Sequence, residues 1–295
     1  MSKLDEVLSA TEKPALLIGN GINRYRGQPD SSWDDLLGKL ATARGLDLGD
    51  SSLSEMSNTE FFDILDLKSP QNDRSNLQKE FCTQMEKWTP GAHHKDIVRW
   101  AERNQRPIIT VNFDENLSRS VNAEYMLGKE GFTDFYPWSS YFSNRRIHDV
   151  RSSFAIWHAH GMQRYHRSIR LGLTHYMGSV HRARTRVYGK NGLRLSTKAA
   201  PSDWRSSNTW LEAFFFSPII IIGFGFGKDE TFFRWLFLER ARLHKLRPEW
   251  KCDTWFVDIE RDKKLQQSAF LAGLGIQQII LSDYDSLYTA SCWLE

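Results

Sequence analysis

Short apolar runs that alternate with helical patterns are the feature of this sequence that most restricts its fold. The clearest run is a block of four isoleucines followed by a glycine at 219–223. Runs of this kind, rich in β-branched residues and closed by turn residues, are typical of strands buried on both faces. The sequence predicts strands over 14–19, 106–113, 152–161, 168–174, 219–223, 254–259 and 276–281.

Helical patterns fill the intervals between these strands. Apolar residues recur every three or four positions over 33–40, which predicts a helix with Ser31 or Ser32 as its N-cap. Further helices are predicted over 59–88 with a polar break at 69–76, over 93–102, along a basic stretch to about 187, and over 208–216, 229–244 and 262–271. This alternation predicts an α/β fold with a Rossmann-like, mostly parallel sheet and helices on both faces. We expect a single domain over 1–295, with a small helical insertion at about 45–92.

Composition excludes several classes of protein. The 295 residues include 18 Phe, 11 Trp and 9 Tyr, too many aromatic side chains for a chain that is mainly disordered. The most apolar stretch, 213–222, is interrupted by a Ser-Pro pair and is shorter than the roughly 20 residues that a membrane-spanning helix needs. The three cysteines form no CxxC pair, and the N-terminus does not read as a secretory signal, so we expect a cytoplasmic protein without a disulfide framework.

Basic residues are concentrated in one segment of a chain whose net charge is only +3. Residues 144–198 contain twelve Lys or Arg and one acidic residue, together with six of the nine histidines. Such a segment favours an anionic neighbour: nucleic acid, a phosphorylated ligand or an acidic partner subunit. Alternatively, the arginines form a solvated basic face or pair with acidic helices such as 55–66. The segment contains no recognisable nucleic-acid-binding motif.

Glycine-rich or polar loops follow four of the predicted strands. They are GNGIN at 19–23, NFD at 112–114, HAHG at 158–161 and GFGFG at 223–227. Open parallel sheets bind ligands at the carboxyl ends of their strands. Glycine turns let backbone N–H groups approach a phosphate, whereas Asn, Asp and His bind sugar hydroxyls or transfer protons. A single glycine turn is more typical of a tight connection, but four such loops at one edge predict a nucleotide pocket.

These segments resemble the sirtuin family, and they occur in the same order. LLIGNGINRYRGQPD at 16–30 resembles the sirtuin opening, and IITVNFD at 108–114 resembles the T-x-N-x-D strand end. IWHAHG at 156–161 resembles the strand that leads to the catalytic histidine. IIIIGFGFGKDETFFRWLF at 219–237 and WFVDIE at 255–260 resemble the later nucleotide-binding strands. The resemblance covers residues 14 to about 282.

The differences from protein-deacylating sirtuins point to one branch of the family. The four zinc-binding cysteines are missing, and a basic insertion at about 162–205 takes the place of the zinc ribbon. Ser31 and Ser32 replace the aromatic and arginine residues that follow the P-D pair in members acting on peptides. The chain therefore resembles the zinc-less bacterial antiphage-defence branch, whose members hydrolyse NAD.

The resemblance implies an NAD glycohydrolase with NAD as its substrate and without a metal. It would deplete NAD during phage infection once a partner or homo-oligomeric assembly activates it. Expected partners are an ATPase, an Argonaute-like protein or a nucleotide-sensing subunit, with nucleic acid a further candidate through the 144–198 basic segment and no membrane involved. The alternative is a non-catalytic subunit that binds NAD or a related nucleotide. Hydrolysis and cyclisation of NAD are both compatible with the sequence.

The resemblance also assigns roles to individual residues. Asn112 and His160 are the predicted catalytic residues, the amide holding the ribose and a water and the imidazole accepting a proton. His158 lies on the same face of its strand as His160 and is an alternative base. Asn112 and Asp114 are also typical helix caps. The adjacent His93 and His94 are assigned no metal, because neighbouring histidines on a helix are expected to point apart. Predicted NAD-binding residues are Gly19, Asn20, Gly21, Asn23, Pro29, Asp30, Thr110, Asp114, Gly223, Gly225 and Asp258.

Overall fold

Eight strands form one sheet, and six of them run parallel, which confirms the predicted Rossmann-like α/β class. This computed structural model describes residues 2–27, 31–45, 56–69, 74–128, 133–189, 195–204, 206–227, 230–260 and 265–294. The strands are β1 (Ala15–Ile18), β2 (Pro107–Thr110), β3 (Glu124–Met126), β4 (Tyr141–Ser143), β5 (Ala155–His158), β6 (Ile219–Ile222), β7 (Thr254–Ile259) and β8 (Gln277–Leu281). Their spatial order is β3-β4-β5-β2-β1-β6-β7-β8, with β3 and β4 antiparallel at one edge.

The order of the parallel strands creates a topological switch point between β1 and β6. Counted along the chain, the six parallel strands lie in the order 3-2-1-4-5-6, which is that of the dinucleotide-binding fold. The chain leaves β1 towards β2 on one side and later returns to pair β6 with the other side of β1. In open α/β sheets the crevice outside the carboxyl ends at such a point is where ligands bind.

Helices connect most of these strands. They are α1 (Lys3–Ala10), α2 (Gly21–Arg24), α3 (Trp33–Ala43), α4 (Asn58–Lys68), α5 (Arg74–Met85), α6 (Ala92–Arg103), α7 (Asn116–Arg119), α8 (Leu173–Tyr188), α9 (Trp210–Phe216), α10 (Thr231–Leu246), α11 (Leu265–Gly273) and α12 (Tyr284–Tyr288). Short 3-10 helices occupy Gln163–Ser168, Leu195–Thr197, Pro201–Asp203, Pro248–Trp250 and Ser291–Trp293. None of the helices in the described part of the chain is long and apolar enough to cross a bilayer.

Both faces of β6 are covered by other elements, which explains why this strand is an unbroken run of isoleucines. Ile219 and Ile221 belong to a hydrophobic cluster that includes α9 and α10, whereas Ile220 and Ile222 belong to a second cluster that includes α6. Successive side chains of a strand point to opposite faces. Because both faces of β6 are covered, all four positions are apolar and fully buried.

A third hydrophobic cluster holds α3, α4 and α5 together beside the end of β2. It includes Phe113, which follows β2, and the side chains of Ile169 and Leu171. The helices are anchored by hydroxyl N-caps: Ser32 accepts a hydrogen bond from the backbone of Asp35, and Ser57 accepts one from Glu60. The helical segment between β1 and β2 therefore sits at the ligand-binding edge of the sheet.

The strand predicted over 168–174 is wrong. Ile169 and Leu171 are buried against the third cluster, the Ile169 carbonyl accepts a hydrogen bond from Gln78, and α8 already begins at Leu173. An extended segment that packs every second side chain against helices has the same alternation as a strand. The pattern therefore cannot tell which kind of neighbour covers it. The short antiparallel strands β3 and β4 were not predicted, because three residues are too few to show a period.

Candidate functional site

A cavity of about 420 Å³ opens at the carboxyl ends of β1, β6 and β7. It occupies the switch-point crevice, and its volume lies in the range of about 300–1,000 Å³ that small-molecule sites have. The loops after these strands form one wall, and the N-terminal ends of α3 and α4 form the other. The lining residues are Asn20, Gly21, Arg24, Ser32, Trp33, Asp34, Asn58, Thr59, Val111, His160, Tyr176, Gly223, Phe224, Gly225, Phe226, Gly227, Glu230, Val257, Asp258, Ile259, Tyr284 and Leu287.

The structure brings some of the predicted site residues to this cavity and leaves others outside it. Six of them line the cavity: Asn20, Gly21, His160, Gly223, Gly225 and Asp258. Gly19 lies against the loop after β6. Four others are buried and do not line this cavity: Asn23, Thr110, Asn112 and Asp114. Pro29 and Asp30 lie outside the described residues.

The two glycine turns have different roles. A Cβ atom on Gly19 would lie 2.6 Å from the carbonyl oxygen of Gly223, and one on Gly21 would lie 2.7 Å from the same atom. The N–H groups of Gly19 and Gly21 also donate to carbonyls at the end of β6, so neither N–H is offered to a phosphate. A Cβ on Gly225, in contrast, would meet no described atom within 4 Å. Both turns line the cavity, but the turn after β6 leaves open space at Gly225, whereas the glycines of the turn after β1 pack against the loop after β6.

β6, α10 and β7 form a βαβ unit, and both of its strands end at the cavity. The glycine-rich loop 223–227 follows the first strand, and Asp258 lies near the end of the second. In dinucleotide-binding folds the first loop contacts the pyrophosphate, and an acidic residue at the end of the second strand binds ribose hydroxyls. Gly225 and Asp258 lie at the corresponding places of this βαβ unit, which is built from the fourth and fifth parallel strands of the sheet rather than the first two.

The charges around the cavity restrict the class of ligand. Arg24, at the end of α2, is exposed, and its guanidinium makes no hydrogen bond or ion pair with a described residue. Three carboxylates also line the cavity: Asp34, Glu230 and Asp258. Among the lining residues that the structure describes, one cation accompanies three carboxylates. This balance suits a ligand with few phosphates, several hydroxyls and a cationic group better than it suits a polyphosphate.

His160 is held at the cavity wall by a carboxylate and three aromatic rings. Its Nε2 donates a hydrogen bond to Oε1 of Glu230 across 2.8 Å, since a carboxylate only accepts. The rings of Tyr176, Phe232 and Phe233 surround the imidazole at centroid distances of 5.1, 5.6 and 5.3 Å. Only 1% of His160 is exposed, and its Nδ1 has no partner among the described residues.

Asn112 lies beneath the turn after β1. Its Nδ2 is 3.4 Å from the Gly19 carbonyl, and its Oδ1 is buried without a partner in the described chain. Thr110 supports its backbone by accepting from the Asn112 N–H at 3.1 Å. Nδ1 of His158 donates to the Asn112 carbonyl at 2.8 Å, and burial lowers the pKa of His158. His158 therefore supports Asn112 as a neutral imidazole, and His160 is the histidine that reaches the cavity.

A buried polar network holds Asn20 in place. Nδ2 of Asn23 donates to Oδ1 of Asn20 at 2.8 Å and to Oδ2 of Asp114 at 2.7 Å. Its Oδ1 accepts from Nε2 of His94 and from Nδ2 of Asn116, each at 3.0 Å. Burial raises the pKa of Asp114 and lowers that of His94 to about 3. Asn23 and Asp114, which we predicted as NAD contacts, thus bind each other and position the turn that lines the cavity.

The basic segment is partly neutralised inside the protein. Arg164 forms two hydrogen bonds of 2.7 Å with the carboxylate of Glu115, and Arg167 lies 3.3 Å from Asp134. Arg182 of α8 is exposed and lies over a tyrosine ring. No group of three or more His, Cys, Asp or Glu side chains arranged to hold a metal occurs in the part of the chain that the structure describes.

Sequence reasoning missed two residues of the cavity wall, Glu230 and Arg24, and two that support it, His93 and His94. Glu230 lies three residues after the glycine-rich loop, in the first turn of the helix predicted over 229–244, where an acidic residue is common. In the structure its side chain caps α10 by accepting from the N–H of Phe233. Arg24 gave no signal beyond its place after the first glycine turn. His93 and His94 were expected to point apart, but their rings lie 4.3 Å from each other and both reach α2.

Comparisons of the chain with family models, with curated proteins and with solved structures found no match. The geometry of the cavity and the residues around it are therefore the basis for a functional proposal.

Proposed function

We propose that this chain is an NAD glycohydrolase that binds NAD in the switch-point cavity and releases nicotinamide. The observation that carries the proposal is the meeting, in one cavity, of the βαβ nucleotide elements with the His160–Glu230 pair. The first elements recognise a nucleotide, and the second supplies proton chemistry. The order of motifs that resembles the sirtuin family supports the same assignment.

Each part of NAD has a complementary part of the cavity. The loop 223–227 and Arg24 suit the pyrophosphate, and Asp258 suits the hydroxyls of the adenosine ribose. The nicotinamide ribose would then lie towards His160 and Glu230. Cleavage of its glycosidic bond passes through an oxocarbenium-like state, as in glycoside hydrolysis. The leaving nicotinamide becomes neutral, so the site needs a base and negative charge rather than a strong acid.

The biological role follows from the resemblance. We propose that the chain, like the zinc-less defence branch that it resembles, is an effector that depletes NAD in phage-infected bacteria. Its activity would have to be silent until a partner protein or assembly triggers it, because free hydrolysis of NAD harms the host.

The test is nicotinamide release from NAD by the purified chain, alone and with candidate partners, followed by chromatography. We expect release by the wild type and its loss in Asn112→Ala and in His160→Ala. Glu249→Gln is the matched control, because this carboxylate is exposed and precedes β7, at the edge of the sheet opposite the cavity. Analysis of the second product distinguishes ADP-ribose from a cyclised nucleotide. Tight NAD binding without release under every condition would overturn the hydrolase proposal.

A second candidate is a regulatory subunit that holds NAD without cleaving it. Two observations favour it: Nε2 of His160 is already bonded to Glu230, and Asn112 does not line the cavity. On this proposal, NAD binding shifts the affinity for a partner protein, while nicotinamide release remains absent.

A further inference from the structure

His160 is poorly placed to receive a proton from water in the cavity. Its Nε2 is bonded to Glu230, and its Nδ1 is buried with no partner among the described residues. Aromatic side chains surround the imidazole, and 1% of it is exposed. For His160 to act as a base, Glu230 would first have to leave.

Glu230 is better placed. Its side chain lines the cavity, and 13% of it is exposed. Oε1 is fixed by two donors, Nε2 of His160 at 2.8 Å and the N–H of Phe233 at 3.4 Å. Oε2 makes no hydrogen bond to a described residue. One carboxylate oxygen is thus held by the protein while the other is available to a ligand or water in the cavity.

We propose that Glu230 is the catalytic base of this site and that His160 is the positioning residue that orients its carboxylate. This inference rests on the proposed function and changes the roles within it. Negative charge at this point also suits the reaction, because a carboxylate stabilises the positive charge that develops on the ribose.

The proposed step is balanced as follows. The bond between C1′ of the ribose and the nicotinamide nitrogen breaks, and its electron pair neutralises the pyridinium ring. A lone pair of water forms the new bond to C1′, and one proton of that water passes to Oε2 of Glu230. The products are nicotinamide and ADP-ribose, and the carboxyl group then releases its proton to solvent.

Two pairs of variants separate the roles of the two residues. Glu230→Gln keeps an oxygen that accepts from His160 and Phe233 but cannot take a proton, so we expect kcat to fall by about 10²–10⁴-fold. His160→Gln keeps an N–H that donates to Glu230, so we expect it to retain at least tenfold more activity than His160→Ala. Glu249→Gln is the control for the removal of a carboxylate. If Glu230→Gln keeps wild-type kcat, or if the two His160 variants are equally inactive, the assignment is overturned while the hydrolase proposal stands.

Binding provides a readout that does not depend on turnover. A carboxylate beside the nicotinamide attracts the cationic ring of NAD⁺ but not the neutral ring of NADH. Calorimetric titration should show that the wild type prefers NAD⁺ by about tenfold and that Glu230→Gln loses this preference. If the wild type releases no nicotinamide either alone or with any candidate partner, the proposed function fails. In that case, if the wild type and Glu230→Gln show the same preference for NAD⁺ over NADH, the placement of Glu230 at the nicotinamide end is overturned as well.

Discussion

Protonation of His94 should destabilise the fold as the pH falls, because the protein holds this imidazole in its neutral form. Nε2 donates to Oδ1 of Asn23 at 3.0 Å, and Nδ1 accepts from the N–H of Gly91 at 3.1 Å. A second proton, on Nδ1, would therefore face another donor. Burial, reinforced by the neighbouring His93, lowers the pKa of His94 from 6.5 to about 3.

The sign and size of the effect follow from this difference. Between pH 6.5 and 3 the unfolded chain binds a proton that the folded chain does not, so this contribution to stability is complete above about pH 6.5 and is lost towards pH 3. At 1.36 kcal/mol per pKa unit the whole loss is roughly 4–5 kcal/mol. That is a large part of the about 5–15 kcal/mol by which domains are usually stable.

Urea unfolding from about pH 7 to pH 4 measures this contribution. His94→Gln keeps a donor for Asn23 but does not titrate. We expect the free energy of unfolding of the variant to fall less steeply than that of the wild type, by about 1.4 kcal/mol per pH unit near pH 5. His148→Gln, at an exposed position, is the control. Equal slopes for His94→Gln and the wild type would refute the reasoning.

Three further predictions concern the walls of the cavity and the basic helix. Gly21→Ala should lower the free energy of unfolding by about 1–3 kcal/mol in urea titration, because its Cβ meets rigid backbone. Gly225→Ala should keep the wild-type free energy of unfolding and weaken NAD binding. A destabilised Gly225→Ala beside a stable Gly21→Ala with weakened NAD binding would contradict the roles assigned to the two turns. Asp258→Arg should shift the ratio of Kd values by at least about tenfold towards NADP, whose 2′-phosphate the carboxylate repels; an unchanged ratio would place the adenosine elsewhere. If α8 binds DNA, Arg182→Glu combined with Arg184→Glu should reduce the slope of log K against log salt by about 2, and an unaltered slope would exclude this helix as the contact.

Strand positions could be predicted because their signal is local. The predicted strand 254–259 coincides with β7, and 219–223 differs from β6 by one residue. A run of β-branched residues that ends at a glycine indicates a buried strand regardless of which elements pack against it. The prediction of a strand over 168–174 was wrong because it depended on neighbours that the local sequence does not show. Its apolar alternation is real, but the surface that it meets consists of helices.

The sequence predicts which loops form the site, but not the side-chain contacts between those loops. Strand order brings the ends of β1, β6 and β7 to one edge, so the placement of Asn20, Gly225 and Asp258 at the cavity follows from the fold class. The contact of His160 with Glu230 does not follow from it. β5 and β6 are separated by β2 and β1, roughly 14 Å at about 4.8 Å per strand. The two loops meet only because both extend across the intervening strands, and no local pattern encodes that.

The buried amide of Asn112 provides a last test, because we expect its removal to abolish activity while hardly changing the stability of the fold. Its Oδ1 lacks a partner in the described chain, and its one side-chain hydrogen bond, to the carbonyl of Gly19, is 3.4 Å long. An unsatisfied buried polar group costs about 1–3 kcal/mol, so the residue adds little to the fold. Asn112→Ala should therefore change the free energy of unfolding by less than about 1 kcal/mol in urea titration, with the lost packing offset by removal of the orphan oxygen.

The same substitution should abolish nicotinamide release if the amide meets the ribose once substrate enters. If Asn112→Ala keeps the free energy of unfolding but loses turnover, the Asn112 side chain contributes through the ligand. If the substitution unfolds the protein, Asn112 contributes to the stability of the fold. Strong destabilisation of Asn112→Ala together with residual activity per folded molecule would assign Asn112 to the scaffold and leave the chemistry to the residues at the cavity wall.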